Sequence, residues 1–140
     1  MSKLNNKGIS LLEAAITIAV IMLGILVLSK VFPVAFQAGK SSEQATIATN
    51  LAQSKLEEMF YLDYDNISTG TIEAKQRLAA DSSNPFYHYQ RETIIDHVDI
   101  NMNTSQTATG LKRITVNTYY NSPLTSAERT IQLILLISEK

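Results

Sequence analysis

The chain has 140 residues, 12 basic and 13 acidic side chains, and no cysteine. That length suits one domain, the lack of cysteine excludes disulfide staples and thiol chemistry, and a net charge of −1 without a basic stripe argues against nucleic-acid binding. The apolar residues are unevenly spread: a long oily run fills much of the first third, and the remainder is mixed.

MSKLNNKG, residues 1–8, is short and polar, with Lys3 and Lys7 as its charges. From Ile9 to Ser29 the chain reads ISLLEAAITIAVIMLGILVLS. A helix of that length crosses roughly 30 Å of hydrocarbon. Lys30 closes the run and can snorkel toward headgroups. Basic residues ahead of a span favour a cytoplasmic N-terminus, although Lys30 on the far side weakens the bias. The run is longer than the core of an ordinary secretory signal, and no small-x-small site follows it. Gly24 and Pro33 mark two soft points where a kink is expected, because proline removes one helical hydrogen bond and crowds the preceding turn.

From about Ser41 an amphipathic pattern begins. Ala45, Ala48, Ala52, Leu56 and Met59 recur at steps of three and four, with Ile47 and Leu51 beside them. Continued through Pro33, the helix would run from about Ile9 to Tyr61, on the order of 80 Å. The alanine face suits either core packing or close contact between subunits. YLDYDNISTG is a break, and TIEAKQRLAA suggests a short helix capped by Thr71. The period then shifts toward two in 86–100, 111–120 and 128–138, which predicts three strands. In the second, Ile114, Val116 and Tyr120 share a face. The third is apolar on both faces, which predicts a central or doubly covered strand. NSPLTSA suits an antiparallel turn, and the polar stretch 101–110 is a hairpin tip or contact loop. The expected fold is therefore α+β: a long N-terminal helix packed on a small antiparallel sheet of about three strands.

Little suggests catalysis, and no cofactor is expected. His88 and His97 are nine residues apart and would face opposite sides of a strand, which disfavours a shared metal. Asp63, Asp65 and Asn66 lack the glycine and distal glutamate of a calcium loop. Glu13 is the unusual residue. A carboxylate near the centre of a span costs about 2.5–3.5 kcal/mol. It is either interfacial and wet, or it needs a positive partner. A cut after Gly8 would create one: the new amine on Ile9, largely cationic at neutral pH, would lie just over one turn from Glu13 and within reach of Glu13 on a staggered neighbour.

KGISLLE followed by about twenty apolar residues resembles the N-terminal signal of type IV pilins and of the pseudopilins of type II secretion systems. ATNLAQSKLEEM (48–59) is similar to the helix of small minor pilins and minor pseudopilins of the V and I types. The resemblance implies a cleaved leader (1–8), a membrane and filament-core helix (9–36) and an extracytoplasmic domain (37–140). It implies cutting between Gly8 and Ile9 by a prepilin peptidase, N-methylation of Ile9, and assembly through Glu13. The implied partners are other pilin or pseudopilin subunits, an inner-membrane assembly platform, and lipid before assembly. The implied location is the bacterial inner membrane, N-terminus in the cytoplasm, and later a periplasmic or cell-surface filament. Family members usually have phenylalanine after the cut, where this chain has Ile9, and many carry a C-terminal cysteine pair that is missing here. The alternative is an uncleaved, single-pass anchor carrying a binding or sensory module.

Overall fold

The computed structural model describes residues 10–123 and 125–139. Its elements are one helix, α1 (Leu11–Phe60), and five strands: β1 (Gly70–Arg77), β2 (Gln90–Val98), β3 (Thr104–Ser105), β4 (Leu111–Asn121) and β5 (Glu128–Ser138). The fold is α+β, as the alternation of periods predicts. The chain divides into two units, Met1–Ala38 and Gly39–Lys140.

In the first unit the described residues belong to α1 apart from Ser10, and all are exposed. The helix is apolar on every side here, so no face is distinguished as inward. Its two hydroxyl residues bond to the helix itself: Thr17 Oγ1 donates to the Glu13 carbonyl at 2.8 Å and Ser29 Oγ to the Ile25 carbonyl at 2.6 Å. Such back-bonding satisfies each hydroxyl within its own helix. α1 is one helix through both Gly24 and Pro33.

The second unit is a sheet in the order β1-β2-β4-β5, with β3 paired to the end of β2, and all pairings antiparallel. The later turns of α1 cover one face of it. Ala48 and Ala52 are fully buried and Met59 nearly so. Ala52 and Met59 join Ile67, Ile95, Ile114 and Val116 in one cluster, with Leu56, Leu133, Leu135 and Ile137 packed against it. Ala48 sits with Tyr89 and Tyr120 in a second cluster. The alanine stripe thus belongs to this chain's own core, with Ala48 and Ala52 fully enclosed between helix and sheet. The rings of Tyr89 and Tyr120 take up the space beside Ala48, their centroids 6.3 Å apart.

Three sequence expectations change. The stretch 71–80 holds a strand, not a helix capped by Thr71: Gly70–Arg77 pairs with β2. Its Ala, Glu and Lys favour a helix, but almost every residue is exposed and no apolar stripe would dock one, so backbone pairing to β2 prevails. β1 and the short β3 raise the strand count above the expected three. β5 is neither central nor covered on its second face. It lies at the edge of the sheet, with Ile134 54% exposed. Its even-numbered residues point away from α1, and no described element covers that face.

The complete burial of Ala52 gives a direct test. Ala52→Leu should overpack the interface and lower stability by about 1–3 kcal/mol. Ser54→Leu, on the exposed side, should stay within roughly 0.5 kcal/mol of the parent. Urea titration of the detergent-solubilised chain measures both.

Candidate functional site

Two regions carry the sequence-derived candidates: the start of α1, and the loops at one end of the sheet. Gly8 and Ile9 lie outside the described residues. Glu13 stands in the first turn of α1, exposed, among exposed Leu11, Leu12 and Ile16. Ser10 is the N-cap: its Oγ accepts from the Glu13 backbone N–H at 3.2 Å. Ser10 and Glu13 are spaced as in a capping box, S-x-x-E, and a carboxylate in the first turn complements the positive end of the helix dipole. This local use of Glu13 is readable in the sequence, yet an argument from charge alone passes over it. Among the described residues, no side chain pairs with the Glu13 carboxylate. Gly24 has open space around it, and Pro33 is interior to the helix.

The histidines are separated by structure as well as by sequence. His88 ends a 3-10 turn, Pro85–His88, its ring edge-on to Tyr87. His97 sits on β2 opposite Lys112, with Nδ1 buried and unpartnered. Among the described residues no group of three or more His, Asp or Glu side chains is placed to hold a metal.

Asp63, Asp65 and Asn66 lie on the loop after α1, around a 3-10 turn at Tyr64–Asn66. The cation that organises this loop is part of the chain. Lys112 Nζ donates to the carbonyls of Tyr64 and Ile67, both at 2.8 Å, and lies 3.9 Å from the centre of the Tyr64 ring. An ammonium buried without a carboxylate must find carbonyls or a ring face, and Lys112 finds both. It pins the loop to the helix-facing side of the sheet, next to Ile114. The signal in the sequence is its parity: Lys112, Ile114 and Val116 alternate, so all three share the inner face.

A second polar contact joins helix to sheet. Arg91 meets Glu73 in a fork, Nε to Oε2 at 2.9 Å and Nη2 to Oε1 at 3.1 Å, while Nη1 reaches the Leu51 carbonyl of α1 at 3.3 Å. Thr93 Oγ1 donates to the same carboxylate at 3.1 Å. Burial pushes the Glu73 carboxyl upward. The Arg91 hydrogen bonds and charge, the Thr93 hydroxyl and the charge of Lys55 outweigh it and hold the group below its ordinary 4.5.

The 101–110 stretch is an ordered connection. Asp99 Oδ1 accepts from the backbone N–H groups of Asn101 and Asn103, each at 2.8 Å. Arg113 holds the far side through the Met102 carbonyl at 3.1 Å and Thr104 Oγ1 at 3.0 Å. The tip so held leaves Ile100 93% exposed.

Both polar contacts give tests. Because the folded pKa of Glu73 is depressed, its contribution is present above the unfolded carboxyl pKa and is lost as pH falls through the folded value. Glu73→Gln should therefore lower neutral-pH stability by on the order of 1–2 kcal/mol, less than for a fully buried pair because both groups keep some water. That deficit should shrink in urea titrations carried below pH 4.5. Lys112→Met should speed limited proteolysis within 61–69 and leave cleavage rates in β2 and β4 unchanged.

No family model matches the chain, and neither curated proteins nor solved structures give a significant match. The architecture itself is pilin-like: a long apolar N-terminal helix, able to enter a membrane, whose later turns pack on an antiparallel sheet.

Proposed function

We propose that the chain is a structural subunit of a type IV filament machine, a minor pilin or minor pseudopilin, and not an enzyme. The observation that carries this reading is one helix, Leu11–Phe60, apolar and wholly exposed over its first half and built into a globular core by its second. The sequence KGISLLE stands at its start.

In this reading a prepilin peptidase cuts between Gly8 and Ile9, and the freed Ile9 amine is methylated and keeps its charge. Before assembly, lipid covers the apolar turns. An inner-membrane platform then draws the subunit into a filament, where the apolar helices of other pilin or pseudopilin subunits replace the lipid. Glu13 and a neighbour's N-terminal amine neutralise one another in a medium where either charge alone would be costly. The domain is carried to the periplasmic or outer side.

A second reading has its own support. The Ser10 cap and the first-turn position give Glu13 a helix-starting role that needs no neighbour. An uncleaved membrane anchor carrying a binding module would use that role alone.

Intact mass separates the two. Chain extracted from membranes of a host with an active prepilin peptidase should begin at Ile9 and carry one added methyl group; retention of residues 1–8 would favour the anchor. Glu13→Ala should leave the domain's urea midpoint unchanged and sharply reduce the protein recovered in sheared filaments. Parent-level recovery would remove the charge-pairing mechanism.

A further inference from the structure

Beyond the last turn of α1 the second unit carries an open groove. It measures about 810 Å³ and lies between the 61–66 loop and the end of β5, with Phe60, Tyr61, Leu136 and Ile137 in its lining. A smaller groove of about 210 Å³, along the last turns of α1, shares Phe60 and Tyr61 with it. Tyr61 is 85% exposed, and Phe60, Leu62 and Leu136 are exposed as well. These residues stand in the second unit, well past the oily run. A contiguous apolar patch in such a place marks contact with another molecule.

The charges around the groove indicate what that molecule carries. Asp63, Asp65 and Glu139 line the larger groove and Glu57 the smaller, and no lysine, arginine or histidine among the described residues lines either. The chain as a whole is balanced, with 12 basic and 13 acidic side chains, so the acids are segregated here. None of these carboxylates forms a salt bridge among the described residues. Lys112, against the Tyr64 ring, is committed to two carbonyls. The last turn of α1 has no basic residue, although the negative end of a helix favours cations. Tyr64, also in the lining, has a buried hydroxyl without a partner, and such a group is costly to leave unmatched. Burial raises its pKa, and the charges of Glu139 and Asp65 raise it further. The acids are not gathered as a metal set among the described residues, which favours separate cationic side chains over a single ion. We propose that this groove binds a segment of a partner protein in which large apolar side chains are flanked by lysine or arginine. The apolar side chains seat against Tyr61 and Leu136, and the cations meet Asp63, Asp65 and Glu139. This adds a binding site to the domain and holds whether the anchor is cut or uncut.

The chain has no tryptophan, so a tryptophan in a probe reports its own burial. The probe is the acetylated, amidated peptide lysine-tryptophan-leucine-lysine, titrated with the full-length chain in a nonionic detergent, with micelles alone as the blank. A saturable blue shift is expected. Asp63→Asn, Asp65→Asn and Glu139→Gln combined should weaken binding roughly tenfold, as loss of about 1.4 kcal/mol would. Tyr61→Ser should weaken it to a similar degree. All four side chains are exposed, so the urea midpoint should not move. Glu43→Gln, which neutralises an exposed carboxylate on an earlier turn of α1, should bind like the parent. Replacing both lysines of the probe by serine should abolish the shift, and a probe with glycine for tryptophan and leucine should not compete. In the parent chain, carbodiimide should couple the probe's amines to Asp63, Asp65 or Glu139, as located by mass spectrometry. The proposal is overturned by the lack of a saturable shift above the blank, or by coupling confined to other carboxylates. It is overturned equally if the triple variant or Tyr61→Ser binds as the parent does, or if the serine or glycine probe binds as well as the first. A chain that sediments as a dimer, excludes the probe and becomes monomeric with Tyr61→Ser would give the groove to a second copy, and that too overturns it. None of these readouts depends on whether the leader is cut.

Discussion

The fold rests on a helix that its own chain buries only in part. From Leu11 to Ala38 every described side chain of α1 is open, and each Å² of apolar surface left in water costs about 25 cal/mol. From Ala45 onward the same helix meets the opposite condition. Its stripe of alanines and longer apolar residues is covered by β2, β4 and β5. One continuous element thus has two halves of different kind, a first half able to enter an apolar medium and a second that closes a core. The sheet depends on the second half, which covers its inner face together with Ile67 of the following loop.

The parts of this design that follow local rules were legible. The helix, expected from about Ile9 to Tyr61, runs from Leu11 to Phe60, and β4 and β5 fall within a residue of their alternating patterns. Ala48, Ala52 and Met59 sit where the three-and-four spacing places them. What escaped was set by neighbours. β1 has no apolar face for a periodicity to reveal, and only the edge of β2 makes it a strand. Doubly apolar β5 resembles a central strand, and its place at the edge is a matter of topology that the strand's own residues do not encode. A lysine suggests solvent, yet the parity of Lys112 with Ile114 and Val116 places it on the inner face. For the candidate site, the Gly8, Ile9 and Glu13 pattern is a purely local motif, and so is the capping spacing of Ser10 and Glu13, which an argument from charge alone passes over.

The charges of the second unit show how this chain treats an ion it partly removes from water. Glu73 has Arg91 and Thr93. Glu92 accepts from Tyr119 at 2.9 Å and from Asn117 at 3.3 Å. Asp96 has Arg113, and Lys112 has two carbonyls and a ring. In each case the partner comes from another strand or loop, so the charge also fixes the register or position of the element that answers it. Glu13 departs from that habit. It stands on a surface as apolar as any core, and no side chain among the described residues answers its carboxylate. The Ser10 cap engages its backbone, and the charge has only the helix dipole to answer it among the described residues. A carboxylate so placed is tolerable near headgroups and becomes costly once apolar helices close around it. At a headgroup interface water and the helix dipole answer it, whereas in the filament proposed above the cation would be a neighbouring subunit's amine.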